Sequence, residues 1–250
     1  MKRLAAITGA LAGLTAFVAF LAPAGATPNA STCGSGSHGA AGYAYAGLQS
    51  QRAGSGVRAT ITALRQPIVS AGHAAGWIGV GGPGAGPNGE TMWLQTGIAG
   101  LPGTPLMVYT EITRPGRAPS FVPLRENVAV GESHRLAVLE MNGRPGVWRV
   151  WLDGRAVTDP IVLPGSHGRW EPLATAESWN GGVATCNGFG FRFERVCIAR
   201  ALGGSWQPFV PGYTFRDRGY EVRQLSPTPR GHRTLSAGSL QAYAFDALSA

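Results

Sequence analysis

Three side chains in this sequence could together move a proton and steady a growing negative charge: Gln95, Glu111 and Glu177. A carboxylate can take a proton from a water molecule that attacks a carbonyl carbon. A carboxamide N–H beside it can hydrogen-bond the developing oxyanion, worth about 3 kcal/mol of barrier. Glu177 and Gln95 supply such a pair, and protonated Glu177 would then pass its proton to the leaving amine. Glu111, if close, would raise the pKa of Glu177 by like-charge repulsion. Because one carboxylate must be ionised for attack, the expected optimum is acidic. Trp77, Trp93, Tyr109 and Trp179 stand near these residues in sequence and are candidate substrate platforms, with Glu111. Each has a plainer reading: outward polar residues are the norm on half-exposed sheets, and tryptophans commonly pack.

Strand alternation decides whether these side chains can meet. In Met92–Ile98, residues Trp93, Gln95 and Gly97 share one face, and Met92, Leu94 and Ile98 share the core face. Tyr109 and Glu111 lie opposite Val108 and Ile112. Glu177 lines up with Thr175 and Trp179, and Trp77 lies opposite Ile78 and Val80. If the four polar faces coincide, they form a groove holding two carboxylates, an amide and several aromatic rings.

Other motifs point away from metal and serine chemistry. His73, His134 and His167 are isolated by spacing and form no H-x-x-x-H pair, so no metal is expected. Gly165-Ser166-His167-Gly168 reads as a turn, since a nucleophile elbow needs G-x-S-x-G between strand and helix.

The positioning elements are short β-type runs between Gly/Pro turns. Expected strands are Tyr43–Gln49, Val57–Ala63, Gly76–Gly81, Thr91–Ile98, Leu106–Thr113, His134–Met141, Val147–Leu152, Leu173–Trp179, Phe189–Ala199, Tyr220–Gln224 and Ser239–Phe245. That number implies an all-β fold, a two-sheet sandwich or jelly roll. Asp153-Gly154 marks a type I′ hairpin.

Lys2 and Arg3, the apolar run Leu4–Leu21 and the small-residue site Ala24-Gly25-Ala26 read as a signal peptide over 1–26, with a retained anchor as the alternative. Residues 27–42, rich in Gly, Ser, Ala and Asn, read as a flexible arm, and 43–250 as a single β-sandwich domain. The chain is therefore expected outside the cell, without stable membrane insertion after cleavage, and as a monomer. The signal carries two of the 21 basic residues and none of the 13 acidic ones, which leaves a net charge of +6. The arginines are scattered, without a basic run or a nucleic-acid motif, so no nucleic-acid partner is expected. Of Cys33, Cys186 and Cys197, one must lack an intramolecular partner. Cys186–Cys197 and Cys33–Cys186 are both open pairings.

Gly76-Trp77-Ile78-Gly79-Val80-Gly81-Gly82, followed by Trp93-Leu94-Gln95-Thr96-Gly97, resembles the glutamic peptidases, or eqolisins. So do Tyr109-Thr110-Glu111 with Pro115, Ala176-Glu177 with Trp179, and Leu235-Ser236-Ala237-Gly238-Ser239-Leu240, all in the same order. The resemblance implies a concanavalin-like β-sandwich with a catalytic concave face and no metal or organic cofactor. It implies a catalytic Gln at Gln95 and a catalytic Glu at Glu177, Trp77 in the active site and Glu111 nearby. It implies peptide or protein substrates. The sequence departs from the family at Gly81, where many members have Asp, at Ser178, and at Asn180-Gly181-Gly182. A secreted, non-catalytic module binding carbohydrate or extended peptide is the alternative, since a groove with aromatic rings and carboxylates suits either ligand.

Overall fold

The computed structural model describes residues 42–181, 186–225 and 243–249. The expected signal peptide, most of the 27–42 arm, Cys33 and the Leu235–Leu240 patch lie outside them. The strands are β1 (Tyr43–Ser50), β2 (Gly56–Ala63), β3 (His73–Gly82), β4 (Met92–Gly100), β5 (Leu106–Thr113), β6 (Ser120–Val128), β7 (Ser133–Glu140), β8 (Val147–Leu152), β9 (Arg155–Ala156), β10 (Ile161–Val162), β11 (Leu173–Trp179), β12 (Gly190–Ala201), β13 (Gly204–Pro208), β14 (Pro211–Arg216), β15 (Tyr220–Gln224) and β16 (Tyr243–Ser249). No helix occurs among the described residues.

Two antiparallel sheets form a sandwich. The first runs β14-β1-β11-β3-β4-β5-β6, and the second runs β10-β8-β7-β2-β12-β16-β15 with β13 and β9 on its margins. Period-two alternation sends one side of each strand into a shared core. Ile78, Val80, Met92, Leu94, Ile98 and Val108 from the first sheet meet Ile61, Leu136, Val138, Trp148, Phe191 and Phe193 from the second. Phe191 comes so close to β3 that a Cβ at Gly76 would lie 2.6 Å from its ring. Thr96 and Thr110 also point inward. Their hydroxyls donate to the Tyr109 and Gln95 carbonyls at 2.7 and 2.9 Å, which satisfies both buried groups and pins the register of β4 on β5.

The Asp153-Gly154 hairpin forms as expected, with φ of 50° and 87° at its two central residues, both in the left-handed region that a type I′ turn requires. Ser166 is buried in a turn, accepting from Trp148 Nε1 at 2.8 Å and donating to the Leu163 carbonyl at 2.7 Å. Cys186 is disulfide-bonded while Cys197 is a free, buried thiol, so these two are not partners.

Candidate active site

The antiparallel ladders of the first sheet align its outer side chains into rows. One row reads Phe215, Gly47, Thr175, Trp77, Gly97, Tyr109 and Pro123 from β14 to β6. The next row on one side brings Leu173, Gly79, Gln95, Glu111 and Phe121 together. The row on the other side holds Tyr45, Glu177, Ala75, Ala99 and Met107. Beyond it come Tyr43, Trp179 and His73. Trp93 lies across from Thr113 at the opposite end. All seven expected site residues therefore share one face.

That face is unusually dry for the outside of a sandwich. Ala75, Trp77, Ala99 and Tyr109 form a second apolar cluster, with Tyr45, Met107, Phe121 and Leu173 packed around it. Gln95 is only 6% exposed and Glu177 only 7%, where a solvated sheet face would leave both open. Tyr109 stacks on Phe121 with ring centroids 4.9 Å apart. A glycine at 97 is required in the middle of this cluster, because a Cβ there would lie 2.6 Å from the Trp77 Cβ. The indole N–H groups of Trp77 and Trp93 are buried without a hydrogen-bond partner.

Gln95 is held directly by its neighbours on β5. Its Nε2 donates to Tyr109 Oη and to Glu111 Oε2, each at 3.2 Å. Glu177 is held by different groups: His73 Nε2 lies 3.0 Å from Oε1, and the Tyr45 hydroxyl also hydrogen-bonds this carboxylate. Gln95 and Glu177 lie in rows on either side of Trp77, two strands apart. The two carboxyls nevertheless feel one another. Burial first, and the charge of Glu177 second, push the Glu111 carboxyl up to about 7 from an ordinary 4.5, against the opposing pull of His73 and Gln95. The repulsion between the two carboxyls is thus felt at Glu111. Burial, followed by the same Glu177 charge, raises the Tyr43, Tyr45 and Tyr109 phenols, which keeps them as O–H donors.

Two carboxyls in unlike settings can divide acid and base roles. Glu111 is neutral across the acidic range and sits against the Gln95 amide. Glu177 is bound by an imidazole and a phenol that both stabilise a carboxylate. The three histidines, isolated from one another in sequence, each meet a carboxylate: besides His73, His134 meets Asp153 at 2.9 Å and His167 meets the buried Glu140 at 3.0 Å. The omission of His73 has a physical origin. The expected strand begins at Gly76, whereas β3 begins at His73, and the same two-residue period that places Trp77 outward extends back through Ala75 to His73. Asn187 also escapes the sequence pattern. Its amide accepts from the Ser70 N–H at 3.0 Å and donates to the Ala71 and Trp179 carbonyls at 2.8 and 2.9 Å, with the His73 carbonyl at 3.2 Å. It ties the start of β3 to the end of β11.

No protein-family model matches the sequence, and no curated protein sequence matches it. Solved structures do. Scytalido-glutamic peptidase with a peptide-based transition-state analogue is 14% identical, with a TM-score of 0.52, over 83% of this chain and 98% of that one. SCP-B, a member of the eqolisin family of peptidases bound to the tripeptide Ala-Ile-His, is 14% identical with a TM-score of 0.47, over 82% and 97%. A β-glucanase of Bacillus licheniformis is 12% identical with a TM-score of 0.35, over 80% and 65%. The chain thus shares with the first of these, across 83% of its own length, the fold of a two-sheet sandwich.

Proposed function

We propose that this chain is a secreted glutamic-peptidase-like enzyme that hydrolyses peptide bonds at acidic pH, with Gln95 and Glu177 as its catalytic residues. The observation that supports this most is the outer face of the first sheet. An amide and two carboxyls lie there within one nearly dry aromatic cluster, where the ladder register alone aligns them. In the proposed reaction, ionised Glu177 takes a proton from water as the water oxygen bonds to the peptide carbonyl carbon. The carbonyl oxygen becomes an oxyanion and accepts from Gln95 Nε2–H, which turns from one of its resting partners. Collapse of the intermediate breaks the C–N bond, and Glu177 returns its proton to the leaving nitrogen. A carboxylic acid and an amine result. Trp77, Trp93, Tyr109, Glu111 and Trp179 would line the substrate path.

The resting contacts favour one other reading. Both Nε2 hydrogens of Gln95 are engaged, and Glu177 already has two donors, as a rigid face for binding extended peptide or carbohydrate would require. Digestion of casein or a peptide library between pH 2 and 7, comparing wild type with Glu177→Gln, separates the two. Hydrolysis predicts cleavage by wild type and at least a 100-fold loss in the variant. Equal cleavage by both proteins, or cleavage by neither, overturns it and leaves the binding face.

A further inference from the structure

We infer that His73 is the positioning residue of the Glu177 carboxylate, donating from Nε2–H to Oε1 so that the second oxygen is left to take the proton of the attacking water. The inference rests on the peptidase reading of the site.

Four observations on this chain converge on it. The Nε2–Oε1 separation is 3.0 Å, and both residues are buried, His73 at 8% and Glu177 at 7% exposure. Facing a carboxylate, the nitrogen at that position carries a hydrogen, which fixes the tautomer or the imidazolium form. The imidazole packs against the rings of Tyr43, edge-on at 6.0 Å, and Trp179, tilted at 6.0 Å, which themselves stack at 6.0 Å. The backbone is fixed as well, since Asn187 reaches the His73 carbonyl while bridging to β11.

The groups that face His73 leave it as the nitrogen donor of the pair. From β11 come Glu177 and Trp179, from β1 Tyr43 and Tyr45, and Glu111 on β5 acts on it through space. Among the described residues, no Lys or Arg is ion-paired with Glu177. A donor to a carboxylate favours its charged form, and the base must be charged for attack in acid. The His73 proton itself does not leave. The proton taken from water goes to Glu177 and then to the departing amine.

His73→Phe, which keeps a ring against Tyr43 and Trp179 but removes the donor, and His73→Gln, which keeps a donor, test this. Kinetics are measured against pH, with thermal melting to verify the fold. His73→Phe should lower kcat about 100-fold with KM within threefold, as expected for a lost hydrogen bond to the base. His73→Gln should recover at least a tenth of the wild-type kcat. If His73→Phe matches wild type while Glu177→Gln is inactive, this inference fails and the peptidase reading stands. If wild type cleaves nothing, both fail. A measurement independent of activity is imidazole nitrogen NMR. The His73 Nε2 resonance should shift in Glu177→Gln, which removes the carboxylate 3.0 Å away, and an unchanged resonance overturns the pairing whatever the kinetics show.

Discussion

A carboxyl group buried beside a second carboxyl ionises late, and Glu111 stands in that position, raised to about 7 by burial and then by Glu177. While neutral, it holds the Gln95 amide only through a hydrogen bond between uncharged groups, which an oxyanion could displace. Once ionised, it sets a full negative charge 3.2 Å from the nitrogen that would stabilise that oxyanion in the proposed reaction. The basic limb of kcat/KM should therefore fall near pH 7, where the Glu111 proton is lost. In Glu111→Gln the limb should move up by about one pH unit or more, because the amide cannot ionise. A limb at the same pH in both proteins would assign it to another group. Most of these residues are legible in the sequence alone. Alternation turns Gln95, Glu111 and Glu177 away from the core and Met92, Leu94 and Ile98 into it, and each of the latter is 0% exposed. The partner of each carboxyl is not legible. His73 and Glu177 stand 104 residues apart, and only the register of β3 on β11 brings them together.

At the scale of the element, the strands inside the sheets are readable and, apart from the edge strand β15, the margins are not. β5, β8, β11 and β15 begin and end where the sequence places them. β6 and β14, absent from the sequence expectation, are the two edges of the first sheet, and the equally unexpected β9, β10 and β13 lie along the margins of the second. An edge strand has one ladder, little burial and tolerance for proline, as Pro123 in β6 and Pro211 in β14 illustrate. Its sequence therefore carries a weak period. The same limit hides Asn187, which no alternation marks because it lies between strands and works through its amide. Asn187 is 1% exposed, and its loss would strand the Ser70 N–H and the Ala71 and Trp179 carbonyls. Each buried group left unmade costs about 1–3 kcal/mol, without full additivity. Asn187→Ala should therefore destabilise the protein by about 2–4 kcal/mol in denaturant unfolding. A loss below about 0.5 kcal/mol would mean that β3 and β11 hold their ends together without it.

For the whole molecule, the carboxyls pull stability in opposite directions along the pH axis. Three have folded pKa values below their ordinary ones. Burial pushes Asp153 up, but hydrogen bonds from His134 and the Arg135 N–H outweigh it. The Ala129 N–H and then Arg125 and His134 hold Glu132 down, and the Asn88 side chain and N–H hold Glu90 down. These contributions are present above the ordinary values of 3.8 and 4.5 and are lost as pH falls through the folded ones. Glu111 has the opposite sign. Its burial costs nothing while it is protonated in both states, below 4.5, and the cost grows until pH passes about 7. A shift of that size corresponds to about 3 kcal/mol, or several degrees in Tm for a chain of this length. The sandwich should thus be most stable in mild acid, the range in which the proposed chemistry would run. Melting of wild type and Glu111→Gln at pH 4.5 and pH 8 isolates the effect from every other titrating group. The two proteins should differ little at the lower pH, and the variant should be the more stable by several degrees at the higher one. The same difference at both pH values would show that the Glu111 carboxyl ionises without strain, and the late proton assigned to the site would have to belong elsewhere.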